Sequence, residues 1–206
     1  MKLIQHYFPN LTDFQLNQIQ TIEKLYPQWN EQINVISRKD IEHLEERHIL
    51  HSMAIGRYFN FPDNSRVLDV GTGGGFPGIP LAIMFPNVHF TLNDAIGKKI
   101  KVAKDIAQQA GLTNIEVIHS RVEDLKSEYH YVVSRAVTAF PDFVKMCKPK
   151  IAKQSNNSLK NGIIYLKGGD FDEEVKAFNE TTTIYPLSDA FKEEFFLTKK
   201  IIYFQI

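Results

Sequence analysis

The chain of 206 residues has a single cysteine, Cys147, which leaves it neither an internal disulfide nor a cysteine zinc site. No apolar run is long enough to span a bilayer, and no charged stretch leads into a short apolar one as a secretion signal requires. These absences point to a cytoplasmic protein. Net charge is missing too: 24 basic residues face 24 acidic ones, which argues against a broad, non-specific nucleic-acid binder. A local basic patch is still compatible with that balance. Lys145, Lys148, Lys150, Lys153 and Lys160 fall in a stretch free of acids, a pattern that suits a solvated loop and an RNA contact equally. What is present is ordinary for a globular core, 43% hydrophobic and 23% charged residues.

The densest information lies between Arg66 and Pro80. Val67, Leu68 and Val70 form a short apolar run suited to a buried parallel strand. Gly71, Gly73, Gly74, Gly75 and Gly78 follow, so no Cβ atoms keep a ligand from the backbone there. Pro77 and Pro80 then open an apolar stretch, Ile79 to Met84, as prolines do in a first helical turn. Strand, bare turn and helix start describe a binding crevice at the carboxyl end of a sheet strand. Gly73, Gly75 and Gly78 match a dinucleotide spacing that is weak alone. Pro77 lacks the N–H that a diphosphate needs at a helix start, and Asp69 repels a diphosphate while attracting an ammonium group. S-adenosylmethionine, with its ammonium and sulfonium, fits better. Asp94 closes the next strand-like run, Val88 to Leu92, at the spacing from which a carboxylate accepts both ribose hydroxyls. Alternatively, Asp94 caps a helix that starts near Gly97.

Phe14, Leu16, Ile19, Ile22, Leu25, Tyr26 and Trp29 recur at helical spacing behind a cap at Thr12 or Asp13. A second helix is predicted from Asp40 to about Tyr58, with Ile41, Leu44, His48, Met53 and Ile55 facing inward. The turn at 60–64 divides an N-terminal helical segment, 1–62, from a cofactor domain, 63–206. Strands are then predicted near 66–70, 88–93, 115–118, 130–134, 162–166, 181–187 and 199–205, with helices near 77–84, 97–110, 141–150 and 171–179. That alternation implies an α/β fold, a doubly wound and mostly parallel seven-stranded sheet. The short link from Leu187 to Thr198 suggests a terminal hairpin and an antiparallel edge strand.

The run from Asp69 to Pro80 resembles the cofactor motif of the RsmG family, formerly glucose-inhibited division protein B. The likeness extends over nearly the whole chain. It takes in 34–38 (NVISR), 47–52 (RHILHS), 92–94 (LND) with 97–99 (GKK), 120–123 (SRVE), 133–136 (VSRA) and 166–168 (LKG), in that order. The resemblance implies a Rossmann-like class I methyltransferase that methylates N7 of a guanine in the decoding-site loop of 16S ribosomal RNA. It further implies that S-adenosylmethionine is held by Gly71, Phe76, Val122, Glu123 and Arg135, which join Gly73 of the bare turn and Asp94 as the expected cofactor residues. Two departures stand out: His51 occupies a position commonly aspartate in the family, and Ala95-Ile96 one commonly serine-leucine.

The missing motifs agree with a ring-nitrogen acceptor. Guanine N7 carries a lone pair and no proton, so transfer there needs no general base, only alignment and exclusion of water. The aspartate- or asparagine-Pro-Pro-aromatic block of exocyclic-amine methylation is absent after the fourth strand, where 134–137 read SRAV. Cys147 lacks the surroundings of a cytosine-C5 nucleophile and reads as a buried free thiol. Arg47, Arg121, Arg135 and Lys167 are the candidates for positioning the guanine or its phosphates. Arg135 also suits a cofactor carboxylate, or an ion pair with a neighbouring acid. Phe76 and Phe140 are candidate stacking platforms, Phe140 being better suited to the core. Glu45, His48 and His51 share a helical face, but a metal needs a further ligand and a second shell, so no metal is expected. The partner is 16S ribosomal RNA, within or outside the small subunit, and the protein is expected to act as a monomer. A nicotinamide-dependent oxidoreductase and a non-catalytic ribosome-assembly factor remain as alternatives.

Overall fold

The computed structural model describes residues 1–154 and 158–206. Residues 155–157, inside the lysine-rich stretch, lie outside that description. Seven strands form one sheet: β1 Arg66–Val70, β2 His89–Asp94, β3 Ile115–His119, β4 Tyr131–Arg135, β5 Gly162–Gly168, β6 Thr182–Pro186 and β7 Lys199–Gln205. Their order is β3-β2-β1-β4-β5-β7-β6. β1 to β5 run parallel, while β7 is antiparallel to both its neighbours. The terminal hairpin forms as expected, but the antiparallel strand is not the edge. β7 inserts between β5 and β6 and leaves β6 outermost.

The sheet divides the core in two because side chains alternate along each strand. Val67, Val133 and Ile164 face one apolar cluster. Leu68, Val132 and Ile163 face the other. The second cluster is covered by α7, Phe140–Cys147, and the short α8, Asp172–Val175. Cys147 is buried there as a free thiol pushed up to about 12 by burial. The first cluster is covered by α5, Gly78–Met84, and α6, Gly97–Gln109, together with the N-terminal segment. That segment starts with α1, Lys2–Tyr7, and α2, Asp13–Gln32, where Thr12 and Gln15 form a reciprocal capping box. Ile4, Ile19, Ile22 and Tyr26 enter the same apolar cluster as Ile79 and Leu92, so residues 1–62 and the sheet share one core.

The expected single helix from Asp40 to Tyr58 is broken into four pieces. A 3-10 turn, Ile41–His43, leads into a π-helical stretch, Glu45–Leu50, followed by α3, His51–Met53, and α4, Ile55–Tyr58. A π-turn widens the helix and re-aims its side chains, and it recurs at functional sites. Here it carries Arg47 and His48. α7 and α8 are likewise each completed by a 3-10 turn, Lys148–Lys150 and Lys176–Phe178. Among the described residues no helix is long and apolar enough to cross a membrane.

Candidate active site

The sheet order reverses at β1, whose neighbours are β2 and β4, and an open α/β sheet binds its ligand at such a switch point. The loop after β1 is the glycine turn. Gly71 there has φ of 67°, where only glycine is free of strain, and a Cβ would stand 2.5 Å from Val137 Cγ2. The turn is braced from beneath by Asp69, which is fully buried. Its Oδ2 accepts from Thr72 Oγ1 at 2.6 Å and from the Gly78 N–H at 2.8 Å. The sequence suggested that Asp69 faces an ammonium group. Instead its carboxyl points into the turn, is pushed up to about 7 by burial, and has Oδ1 without a partner. From the N-terminal side, Tyr26 Oη donates to the Gly74 carbonyl at 3.0 Å, tying α2 to the turn. The Phe76–Pro77 peptide is cis.

Beside the turn lies a cavity of about 460 Å³, lined by Gly71, Asp94, Ile96, Lys99, Arg121, Val122, Glu123, Ala136, Val137 and others from the ends of β1 to β4. Asp94 does not cap α6, whose N-cap is Ile96. Its Oδ2 accepts from the Gly73 N–H at 2.9 Å and its Oδ1 from the Ile96 N–H at 2.8 Å. Each carboxylate oxygen keeps a second lone pair, enough to accept two ribose hydroxyls. The residues therefore fit a nucleoside, with Val122 and Glu123 in the same cavity wall.

A second cavity, of about 520 Å³, opens on the other side of the Ala136–Val137 loop. Four cations line it, Arg47, Arg135, Lys167 and Lys199, with Asp40 as the one carboxylate. Three of the four positioning candidates therefore meet, while Arg121 lies apart, exposed on the cofactor side. Most of the cations are already paired. Arg47 Nη1 bonds Asp40 at 2.9 Å, and Lys167 Nζ bonds Glu174 at 2.6 Å. Asp40 is held below the usual carboxylate range by the Ser37 hydroxyl and by Arg47. Arg135 Nη1 donates to the Arg47 carbonyl at 3.0 Å, and Nη2 lies 2.9 Å from His48 Nδ1. Burial lowers Arg135 to about 10. Arg135 thus clamps the π-turn and lines this cavity, not the one that holds Asp94, although the sequence associated it with the cofactor.

Phe76 is buried, stacked on Tyr26 with ring centroids 4.5 Å apart and with Arg135 over its ring. It lines neither cavity, so it is no open platform for a base. Phe140 lies in the core. Among the rings that line the second cavity is Phe195, which sequence reasoning missed, with Lys199 Nζ 4.7 Å from its centroid. Lys199 was missed too. It starts the antiparallel β7 and pairs with Gly168, so it arrives at the ligand edge from the opposite chain direction. Tyr165, also missed, anchors the loop between the cavities. Its Oη accepts from the Val137 and Thr138 N–H groups and donates to the Thr138 carbonyl. Ala136, with φ of 55°, completes that tight loop.

Glu45 is turned away from His48 and His51, accepting from the Leu3 and Ile4 N–H groups. No metal-binding cluster occurs among the described residues. His51 lies against Phe195 and Phe196, its Nε2 buried without a partner, and burial holds it neutral, well below its ordinary value. Of the lysine-rich stretch, Lys150 is engaged with the Glu123 and Leu125 carbonyls, while Lys145, Lys148, Lys153 and Lys160 are exposed.

A family profile described as "rRNA small subunit methyltransferase G" (GidB) matches residues 15–199. The chain belongs to this family. A Flavobacterium johnsoniae member, named ribosomal RNA small subunit methyltransferase G, is 53% identical over 203 residues, spanning 98% of this chain and 97% of that protein. A Bacteroides thetaiotaomicron member of the same name is 48% identical over the full length of both. The crystal structure of an MtNAS mutant in complex with S-adenosylmethionine has the same fold, with a TM-score of 0.56 over 99% of this chain and 77% of that one at 14% identity. Membership displaces the oxidoreductase alternative.

Proposed function

We propose that this protein transfers the methyl group of S-adenosylmethionine to N7 of a guanine in 16S ribosomal RNA. Family membership makes it an S-adenosylmethionine-dependent ribosomal RNA methyltransferase. The guanine N7 position and the residue roles are the proposal. One observation carries it: two cavities, one whose lining charges balance (Asp94 and Glu123 against Lys99 and Arg121) and one lined mostly by cations, share the Ala136–Val137 loop as their wall. A donor in the first can pass a methyl group to a base in the second. In the first, Asp94 takes the ribose and Val122-Glu123 the adenine. Gly71 and Gly73 give backbone access, and Phe76 supports the turn from within. In the second, Arg47, Arg135, Lys167 and Lys199 hold the nucleotide and Phe195 stacks on its base, while Arg121 meets flanking RNA from the cofactor side.

The N7 lone pair attacks the methyl carbon, the carbon–sulfur bond breaks, and its electron pair stays on sulfur. The sulfonium becomes a neutral thioether and the purine takes the positive charge. No proton moves, which agrees with a cavity whose histidines are neutral and whose carboxylate is paired. Residues 1–62 supply the outer wall of the substrate cavity through Asp40, Arg47 and His48, and residues 63–206 the cofactor side. We further propose that the protein works in the cytoplasm as a monomer, with the small subunit presenting the RNA, since its net charge is zero. The test compares labelled methyl transfer to deproteinised 16S RNA and to small subunits, then maps the product. 7-Methylguanine at one site is the expected result; methylation of another atom overturns the assignment.

A further inference from the structure

The proposed reading leaves open which side chain recognises guanine as guanine, and His48 has the geometry for it. Its Nδ1 lies 2.9 Å from Arg135 Nη2. A guanidinium has no acceptor and does not lose its proton, so Nδ1 must be the acceptor in this bond. The imidazole is therefore neutral with its proton on Nε2. Burial keeps it so, lowering His48 to about 3. Among the described residues no acceptor meets Nε2, although His48 lines the cation-lined cavity. Arg135 itself has both terminal nitrogens engaged, on the Arg47 carbonyl and on His48.

Position and charge select the ligand atom. N7 and O6 lie on one edge of guanine. If N7 meets the methyl donor across the Ala136–Val137 wall, O6 lies beside it, toward the adjoining Arg135 and the His48 it holds. Methyl transfer leaves a positive purine, and a neutral N–H donor stabilises O6 without repelling that charge as a free cation does. We propose that His48, fixed in its Nε2–H tautomer by Arg135, donates to O6 of the target guanine and determines specificity for that base. This rests on the guanine N7 reading above.

The test uses small subunits reconstituted with 16S RNA carrying either guanine or 2-aminopurine, which keeps N7 and lacks O6, at the target position. Single-turnover methyl transfer is measured for the full-length wild type, His48→Asn and His48→Gln. The asparagine oxygen replaces Nδ1 as the acceptor for Arg135 but offers no donor at the Nε2 position, whereas the glutamine amide restores that donor. The wild type is expected to prefer guanine about tenfold, the worth of one neutral hydrogen bond. His48→Asn should lose that preference by slowing on guanine alone, and His48→Gln should keep it. Equal slowing of His48→Asn on both RNAs, an undiminished preference in it, or loss of the preference in His48→Gln would each overturn the proposal. A wild type that leaves guanine N7 unmethylated removes the parent reading, a result distinct from all of these.

Discussion

At the scale of single residues, the two glycines assigned to cofactor access behave differently. A Cβ at Gly71 meets Val137 at 2.5 Å, whereas one at Gly73 meets nothing within 4 Å. Gly71→Ala should therefore lower both stability, by about 1–3 kcal/mol of strain, and affinity for S-adenosylmethionine. Gly73→Asp carries a left-handed strain of about 1 kcal/mol but no clash, so it should lose less stability than Gly71→Ala, yet place a second carboxylate beside Asp94 and lower affinity at least tenfold. Calorimetric titration alongside urea unfolding separates the two; equal destabilisation would contradict the difference in packing. Arg135 carries a heavier structural duty than its strand-end position suggested. Arg135→Ala strips the donor from the Arg47 carbonyl and from His48 Nδ1, so a loss of about 2–4 kcal/mol in unfolding free energy is expected besides lost activity. A loss below ~0.5 kcal/mol would show that the clamp is not structural.

At the scale of elements, legibility followed how local each signal was. β1, the glycine turn and α5 were readable because an apolar run, bare glycines and prolines follow one another within fifteen residues. The π-turn was not, since its side chains follow an ordinary helical pattern and its Arg47 carbonyl is met by Arg135 from the distant β4. Lys199 and Phe195 were invisible for a related reason. Their place in the cavity comes from β7 inserting antiparallel beside β5, a pairing that no spacing in the chain encodes. Two predictions belong here. Tyr165→Phe removes three hydrogen bonds from the loop between the cavities, so methyl transfer should fall with cofactor affinity and RNA affinity both weakened. Phe195→Ala should reduce kcat/KM for RNA by the worth of one stacked base, about 1–3 kcal/mol, with S-adenosylmethionine affinity unchanged. A shared drop in cofactor affinity would place Phe195 in the core instead.

The molecule as a whole sets charged and neutral groups against each other across one wall, and its acid stability should report that. His48 stands at about 3 in the folded chain against an ordinary 6.5, and His51 is shifted in the same direction. As pH falls below 6.5 the unfolded chain takes up these protons first, so each histidine lowers stability by up to ~1.4 kcal/mol per pH unit until its folded value is reached. Asp69 acts oppositely. It stands at about 7 folded against 3.8 unfolded, so between those values the folded chain holds the extra proton and acid stabilises it. His130 is lowered by burial too, so three histidines oppose one aspartate and a net loss of stability is expected between pH 6 and 4. His48→Asn removes one of the three, so the variant's unfolding free energy should fall less steeply across that window, by up to ~1.4 kcal/mol per pH unit. Urea unfolding of both proteins at half-unit steps of pH gives the two slopes. Identical slopes would mean that His48 is protonated in the folded protein. It then could not accept from Arg135, and the clamp that joins the π-turn to the end of β4 would have to be held some other way.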